Sequence, residues 1–205
     1  MPKKFIPNGT IPYSIPVDYI RPMKIFETSI PGLVEIEPKI FGDERGYFFE
    51  AYNQQAFIKA GIEADFVQDN QSLSAKGVLR GLHFQNPPYA QGKLVRVIAG
   101  AVLDVAVDIR EGSPTYGQHH SVKLSGENKK MFWIPPGFAH GFLTLEDDTI
   151  FAYKCSNSYN KDSEGSILWN DPQLNINWEV ENPLVSEKDQ NAPRFNELKP
   201  EFSFL

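Results

Sequence analysis

The sequence predicts an all-β chain, an antiparallel sandwich or barrel closed as a jelly roll and carrying a few short helices. Three observations lead there. Short β-like runs recur from Lys93 to Cys155, broken by turn signals such as "SGENKK" and "EDD". In "LDVAVDIR", residues 103–110, Leu103, Val105, Val107 and Ile109 alternate with Asp104, Ala106, Asp108 and Arg110, a period of two with one apolar face. Only one segment has strong helix signals, and many strands with few helices are commonly closed as a jelly roll.

Taken in order, residues 1–23 carry Pro2, Pro7, Pro12, Pro16 and Pro22, which disfavour a helix and predict an extended arm. In "YNQQAFIKAG", 52–61, Asn53 can cap a helix and Gly61 can close it. "GVLRGLHFQ", 77–85, reads as a strand. Gly100, between "KLVRVIA" and the 103–110 run, suggests a hairpin turn. "HHSVKLS", "KMFWIPPGFAHGFLTL" and "TIFAYKCS" supply further strands. From about residue 170 the chain is rich in Asn, Pro and charge and is expected to wrap the barrel. The expected layout is an arm over 1–23, one domain over 24–193 and a tail over 194–205.

A chain of 205 residues with 41% hydrophobic and 13% aromatic residues has enough apolar side chains for one large core, which excludes a disordered chain. The net charge of −6 argues against a nucleic-acid binder but leaves room for a small anion held by a few convergent cations. One cysteine, Cys155, permits no intrachain disulfide and reads as a core residue. The sequence offers neither a signal-peptide core nor an apolar run long enough for a bilayer, so the expectation is a cytoplasmic protein without membrane partners.

Arg80 and His83 stand three residues apart in the 77–85 run, a permanent cation beside a group that can lose its proton near neutrality. A histidine held by a carboxylate can act as a general base, and a tyrosine on the other face of a substrate as its acid; "YKCSNSY" offers Tyr153 and Tyr159. Pro135-x-Gly137-x-x-His140 resembles the second motif of cupin barrels. The place of the first motif reads His83-Phe84-Gln85, without the second histidine that metal-binding cupins use, so no metal is expected.

Longer stretches carry a more specific resemblance. "FGDERGYFFEAYNQQAF", "FVQDNQSLSAKGVLRGLHFQ", "AQGKLVRVIAGAVLDVAVDIREGSPTYGQ", "LSGENKKMFWIPPGFAHGFLTL", "YKCSNSY", "SEGSILWNDP" and "SEKDQNAP", in unbroken order over about residues 24–193, closely resemble the dTDP-4-dehydrorhamnose 3,5-epimerase family. The resemblance implies a cupin-type jelly roll, a homodimer, no cofactor, and a dTDP-4-keto sugar as substrate. It implies His83 as the base, Asp189 as the carboxylate that orients it, Tyr153 as the acid and Lys93 as the cation near the C4 oxygen. It further implies substrate contacts at Arg45, Tyr47, Glu50, Gln68, Asn70, Arg80, His140, Tyr159, Glu164 and Lys188. Asp171 in "WNDP" is a rival partner for His83, although Pro172 gives it the look of a turn residue.

Two other readings stay open. An epimerase inverting only C3 would share the base and acid, and a catalytically silent sugar-binding jelly roll would share the fold, because fold alone does not settle function.

Overall fold

The computed structural model describes residues 23–199 and 201–204, so the expected arm, apart from Met23, lies outside the described residues. The chain forms β1 (Lys24–Glu27), β2 (Val34–Glu37), a small hairpin of β3 (Phe41–Asp43) and β4 (Gly46–Phe48), and helix α1 (Gln54–Lys59). Then come β5 (Gln68–Ser74), β6 (Val78–Gln85), β7 (Lys93–Ala99), β8 (Ala101–Asp108), β9 (His119–Ser125) and β10 (Met131–Ile134). β11 (Phe138–Thr144), β12 (Thr149–Cys155), β13 (Glu164–Ser166), β14 (Leu184–Val185) and α2 (Glu187–Gln190) complete it.

Two sheets face each other as a jelly roll, one ordered β1-β2-β10-β7-β12-β5, the other β13-β6-β11-β8-β9 with β14 added to β6. Between them Val95, Val97, Val102, Ala106, Phe132, Phe142 and Phe151 pack as the interior core, with Tyr153 against it. A second core lies on the far side of the second sheet. There Leu82, Phe84, Leu103, Val105, Val107 and Ile109 meet Leu174, Trp178, Val185, Phe195 and Phe202 of the C-terminal segment, which wraps this face as expected. α1 covers the first sheet with Phe57 against Ile36, Leu94 and Met131. Its ends follow the sequence signals: the Asn53 side chain accepts from Ala56 N at 3.2 Å, and Gly61 leaves at φ +82°.

Two expectations need correction. Gly100 does turn, at φ +76°, but β7 and β8 belong to different sheets, so the turn carries the chain across the sandwich instead of closing a hairpin. A glycine signal fixes a local reversal and leaves the choice of pairing to packing. In β8 all eight residues are buried: the apolar face meets the C-terminal wrap, and the face bearing Asp104 and Ala106 points inward. The alternation separated two buried faces, one of which carries a carboxylate into the barrel.

Candidate active site

Arg80 and His83 are an odd number of residues apart, and a regular strand would place them on opposite faces. Here β6 has one residue more than β11 between matched pairs: His83 stands opposite His140 and Arg80 opposite Phe142. This β-bulge turns both side chains toward one cavity. It centres on Gly81, φ +122°, where a Cβ would lie 2.5 Å from Gly141 Cα and 2.8 Å from the His140 carbonyl oxygen. Glycine is required there by both conformation and space.

The cavity, of about 530 Å³, is lined by Arg80, His83, His140 and Asp189 from one side and by Lys93 and Tyr153 from the other. An adjoining space of about 350 Å³ shares His83, Lys93 and Tyr153 and adds Gln68, Asn70, Tyr159 and Glu164. His83 and His140 belong to the second sheet, Lys93, Tyr153, Gln68 and Asn70 to the first. A flat molecule between the sheets therefore meets the imidazoles on one face and the phenol on the other.

Asp189 Oδ1 accepts from His83 Nε2 at 2.6 Å, and Oδ2 accepts from the Gly81 N–H at 3.3 Å. The carboxylate is 3% exposed. Burial opposes its charge, but His83, the Gly81 amide and the Ser186 hydroxyl outweigh that and hold its pKa below the ordinary aspartate value. An ionised carboxylate can only accept, so a neutral His83 carries its proton on Nε2 and keeps its lone pair on Nδ1. Asp171 is occupied elsewhere: Oδ1 accepts from Gln173 N at 2.8 Å and Oδ2 from Phe195 N at 2.9 Å, a turn role.

His140 has its own carboxylate, donating from Nε2 to both Asp104 oxygens at 3.0 Å. Burial pushes its pKa down, with Lys93 and His83 adding to that and Asp104 opposing, so the ring is neutral at pH 7. Lys93 is pushed down by burial and supported by Cys155, Asp104 and Glu164. Tyr153 is pushed up, chiefly by burial, against the pull of Arg80 and Asn70; its phenol is protonated at neutral pH. Such a group can give a proton to a carbanion.

At the rim, Lys188 Nζ lies 2.7 Å from Glu164 Oε1, and the Tyr159 hydroxyl donates to Glu164 Oε2 at 3.3 Å. Gln68 Nε2 donates to Asn70 Oδ1 at 3.1 Å, and its Oε1 accepts from Tyr159 N at 2.9 Å. Arg80 reaches Ser74 Oγ at 3.2 Å. Gln85, where cupins place the second histidine, instead ties loops together through the Tyr89 and Ser158 carbonyls and the Asn160 amide. Among the described residues, no three His, Cys, Asp or Glu side chains are grouped to hold a metal ion.

Three expected contact residues line neither space. Arg45, Tyr47 and Glu50 lie on or just after the β3–β4 hairpin, where Arg45 pairs with Asp43 and Tyr47 is 59% exposed. Conversely, the sequence reading gave no role to Gly81, Asp104 or Ser186. The S-x-x-D spacing of Ser186 and Asp189 was the signal that could have singled out Ser186.

Comparison with known proteins agrees with this geometry. The sequence model of dTDP-4-dehydrorhamnose 3,5-epimerase matches residues 27–197. A dTDP-4-dehydrorhamnose 3,5-epimerase of Shigella flexneri is 56% identical over 174 residues, 84% of this chain and 96% of that one. The crystal structure of a dTDP-6-deoxy-D-glucose-3,5-epimerase from Legionella pneumophila, in complex with dTDP-4-keto-L-rhamnose, superposes with a TM-score of 0.86 at 52% identity, covering 89% of this chain and 99% of that one. A 3'-monoepimerase of Streptomyces bikiniensis, in complex with dTDP-quinovose, gives 0.77 at 37% identity, over 82% and 85% of the two chains. Matched over nearly its whole described length, the chain belongs to the dTDP-4-dehydrorhamnose 3,5-epimerase family.

Proposed function

We propose that this chain inverts C3 and C5 of dTDP-4-keto-6-deoxy-D-glucose, giving dTDP-4-keto-L-rhamnose for dTDP-L-rhamnose synthesis. The observation that carries the reading is the placement of His83 with Asp189 on one wall and a protonated Tyr153 on the other, with Lys93 on the same wall as Tyr153. The C4 ketone acidifies the hydrogens on C3 and C5. His83 takes one of them through Nδ1, and Asp189 stabilises the imidazolium that results. The electron pair moves into the C4 carbonyl, and the developing oxyanion is met by Lys93. Burial lowers the Lys93 pKa while Asp104 and Glu164 support its charge, and the amine can donate a hydrogen bond to the enolate oxygen. Tyr153 then protonates the carbon from the opposite face, and the centre is inverted. His83 then gives its proton to solvent and Tyr153 takes one back, and the same exchange at the second carbon completes the reaction with no net gain or loss of protons.

Arg80 and Lys188, at the mouth, suit the diphosphate oxygens, and Gln68, Asn70, His140, Tyr159 and Glu164 suit the sugar hydroxyls and the base. Arg45, Tyr47 and Glu50 can serve the substrate only if the β3–β4 hairpin reaches another molecule's cavity, which favours a homodimer. A cytoplasmic setting fits a nucleotide-sugar substrate. The test is to incubate the enzyme with dTDP-4-keto-6-deoxy-D-glucose, reduce the product and read its configuration by proton NMR. The L-rhamno sugar is expected; a product inverted at C3 alone would assign a monoepimerase, and recovery of the D-gluco series would overturn the proposal.

A further inference from the structure

Asp189 is the third residue of a helix only four residues long, and a single turn has no stability of its own. Its direction must come from the flanks. Upstream, β14 runs parallel to β6 with Val185 opposite Leu79, and Val185 is buried in the outer core. Ser186 then leaves the strand at φ −64°, ψ 153°, and its Oγ accepts from the Asp189 N–H at 3.1 Å. The next carbonyl bond, Gln190 N to Ser186 O at 3.0 Å, closes the turn.

In an ordinary capping box the acid at this position would return to the N-cap amide. Here both Asp189 oxygens are committed elsewhere, Oδ1 to His83 and Oδ2 to Gly81. The serine thus holds the Asp189 backbone, and its hydroxyl also favours the ionised carboxylate that is turned toward the base. We propose that Ser186 is a positioning residue: by capping α2 it aims Asp189 at His83 and fixes the imidazole tautomer used in proton abstraction. This rests on the proposed epimerisation for its kinetic consequence, while the geometry of the dyad stands apart from it.

The test uses the full chain and the variants Ser186→Ala, Ser186→Gly and Ser186→Thr. Misaiming a reacting group by a fraction of an ångström to an ångström costs about 10- to 100-fold in rate, so Ser186→Ala and Ser186→Gly should lose that much kcat. KM should hold within about twofold, because Ser186 acts through Asp189 and not on substrate. Threonine keeps the accepting oxygen and should restore kcat to within about threefold. Ring 15N shifts of His83 in the unliganded protein should move away from the Nε2–H tautomer in the alanine and glycine variants and return in the threonine variant.

Three results would overturn the proposal: an alanine variant with unchanged kcat and 15N shifts, a KM increase matching the loss of kcat, or a threonine variant that fails to recover. If Ser186→Ala does not fold, Ser186→Gly carries the comparison, since glycine is tolerated at an N-cap. If the wild type proves inert toward the sugar nucleotide, the epimerase reading fails, and the 15N shifts still decide whether Ser186 sets the dyad.

Discussion

Replacing Asp189 with asparagine keeps the shape of the side chain and removes what the site asks of it. Both carboxylate oxygens face donors, the His83 Nε2–H at 2.6 Å and the Gly81 N–H at 3.3 Å. An amide has one oxygen. If that oxygen faces His83, the amide nitrogen meets the Gly81 N–H, donor against donor. If it faces Gly81, the amide nitrogen donates to His83 Nε2, which forces the ring proton onto Nδ1 and abolishes the lone pair that removes the sugar proton. The negative charge that steadies the imidazolium is lost as well; two unit charges about 4 Å apart at an effective dielectric of about 20 attract by about 4 kcal/mol. Partial exposure of His83 reduces that figure. At about 1.4 kcal/mol per factor of ten, the combined loss is about 10³-fold in kcat, comparable to wrong-tautomer variants of serine-protease triads. Turnover is followed by coupling product to a dTDP-4-keto-rhamnose reductase and NADPH oxidation. An Asp189→Asn enzyme within about tenfold of wild type would refute the orienting role. Asp171→Asn supplies the control: it weakens the turn that accepts from Gln173 and Phe195 and should lower stability while sparing kcat.

Tyr153→Phe removes the donor from the wall opposite His83. Turnover should fall about 10²- to 10⁴-fold while His83 still exchanges the substrate hydrogens with solvent, and joint loss of exchange and turnover would argue against the separate acid role. Gly81→Ala puts a Cβ into the Gly141 and His140 backbone at a positive φ, so thermal unfolding should show at least about 1–3 kcal/mol of destabilisation; an unchanged Tm would mean that the bulge can relax. Asp189 and Asp108 both have pKa values held below the ordinary aspartate value, against burial, Asp189 by His83 and Asp108 by Arg110, Ser113 and Thr115. With unfolded values near about 3.9, their stabilisation is complete above that pH and is lost as pH falls through the lower native values. Urea unfolding should therefore show stability declining below about pH 4, with a shallower decline in Asp108→Asn; a flat acid limb in the wild type would contradict this.

The barrel was legible because its physics is local. The strand runs from Lys93 to Cys155 and the capped helix at Asn53 each announce themselves within a few residues, and the apolar face of 103–110 needed only a period of two. What failed depended on which distant element came to lie alongside. Gly100 signalled a turn but could not say that β8 would cross to the other sheet. Arg80 and His83 were read as a cation beside a base and do share the cavity, but the extra residue in β6 that brings them to one face was not legible in their spacing. Asp104 looked like the solvent side of a strand because its partner, His140, is thirty-six residues away. Asp189 was named through resemblance; composition and spacing alone would have left it a solvated acid in a polar tail. Arg45, Tyr47 and Glu50 were named the same way, and within a single chain they do not reach the cavity.

The central claim is that one imidazole and one phenol, on opposite walls, exchange protons at both carbons flanking the ketone. Incubation of the wild-type enzyme with dTDP-4-keto-6-deoxy-D-glucose in D2O, followed by reduction, NMR and mass spectrometry, tests it most directly. The account predicts deuterium at both C3 and C5, abolished by His83→Ala. Deuterium at neither carbon above the enzyme-free control, with the nucleotide sugar still bound, would contradict it.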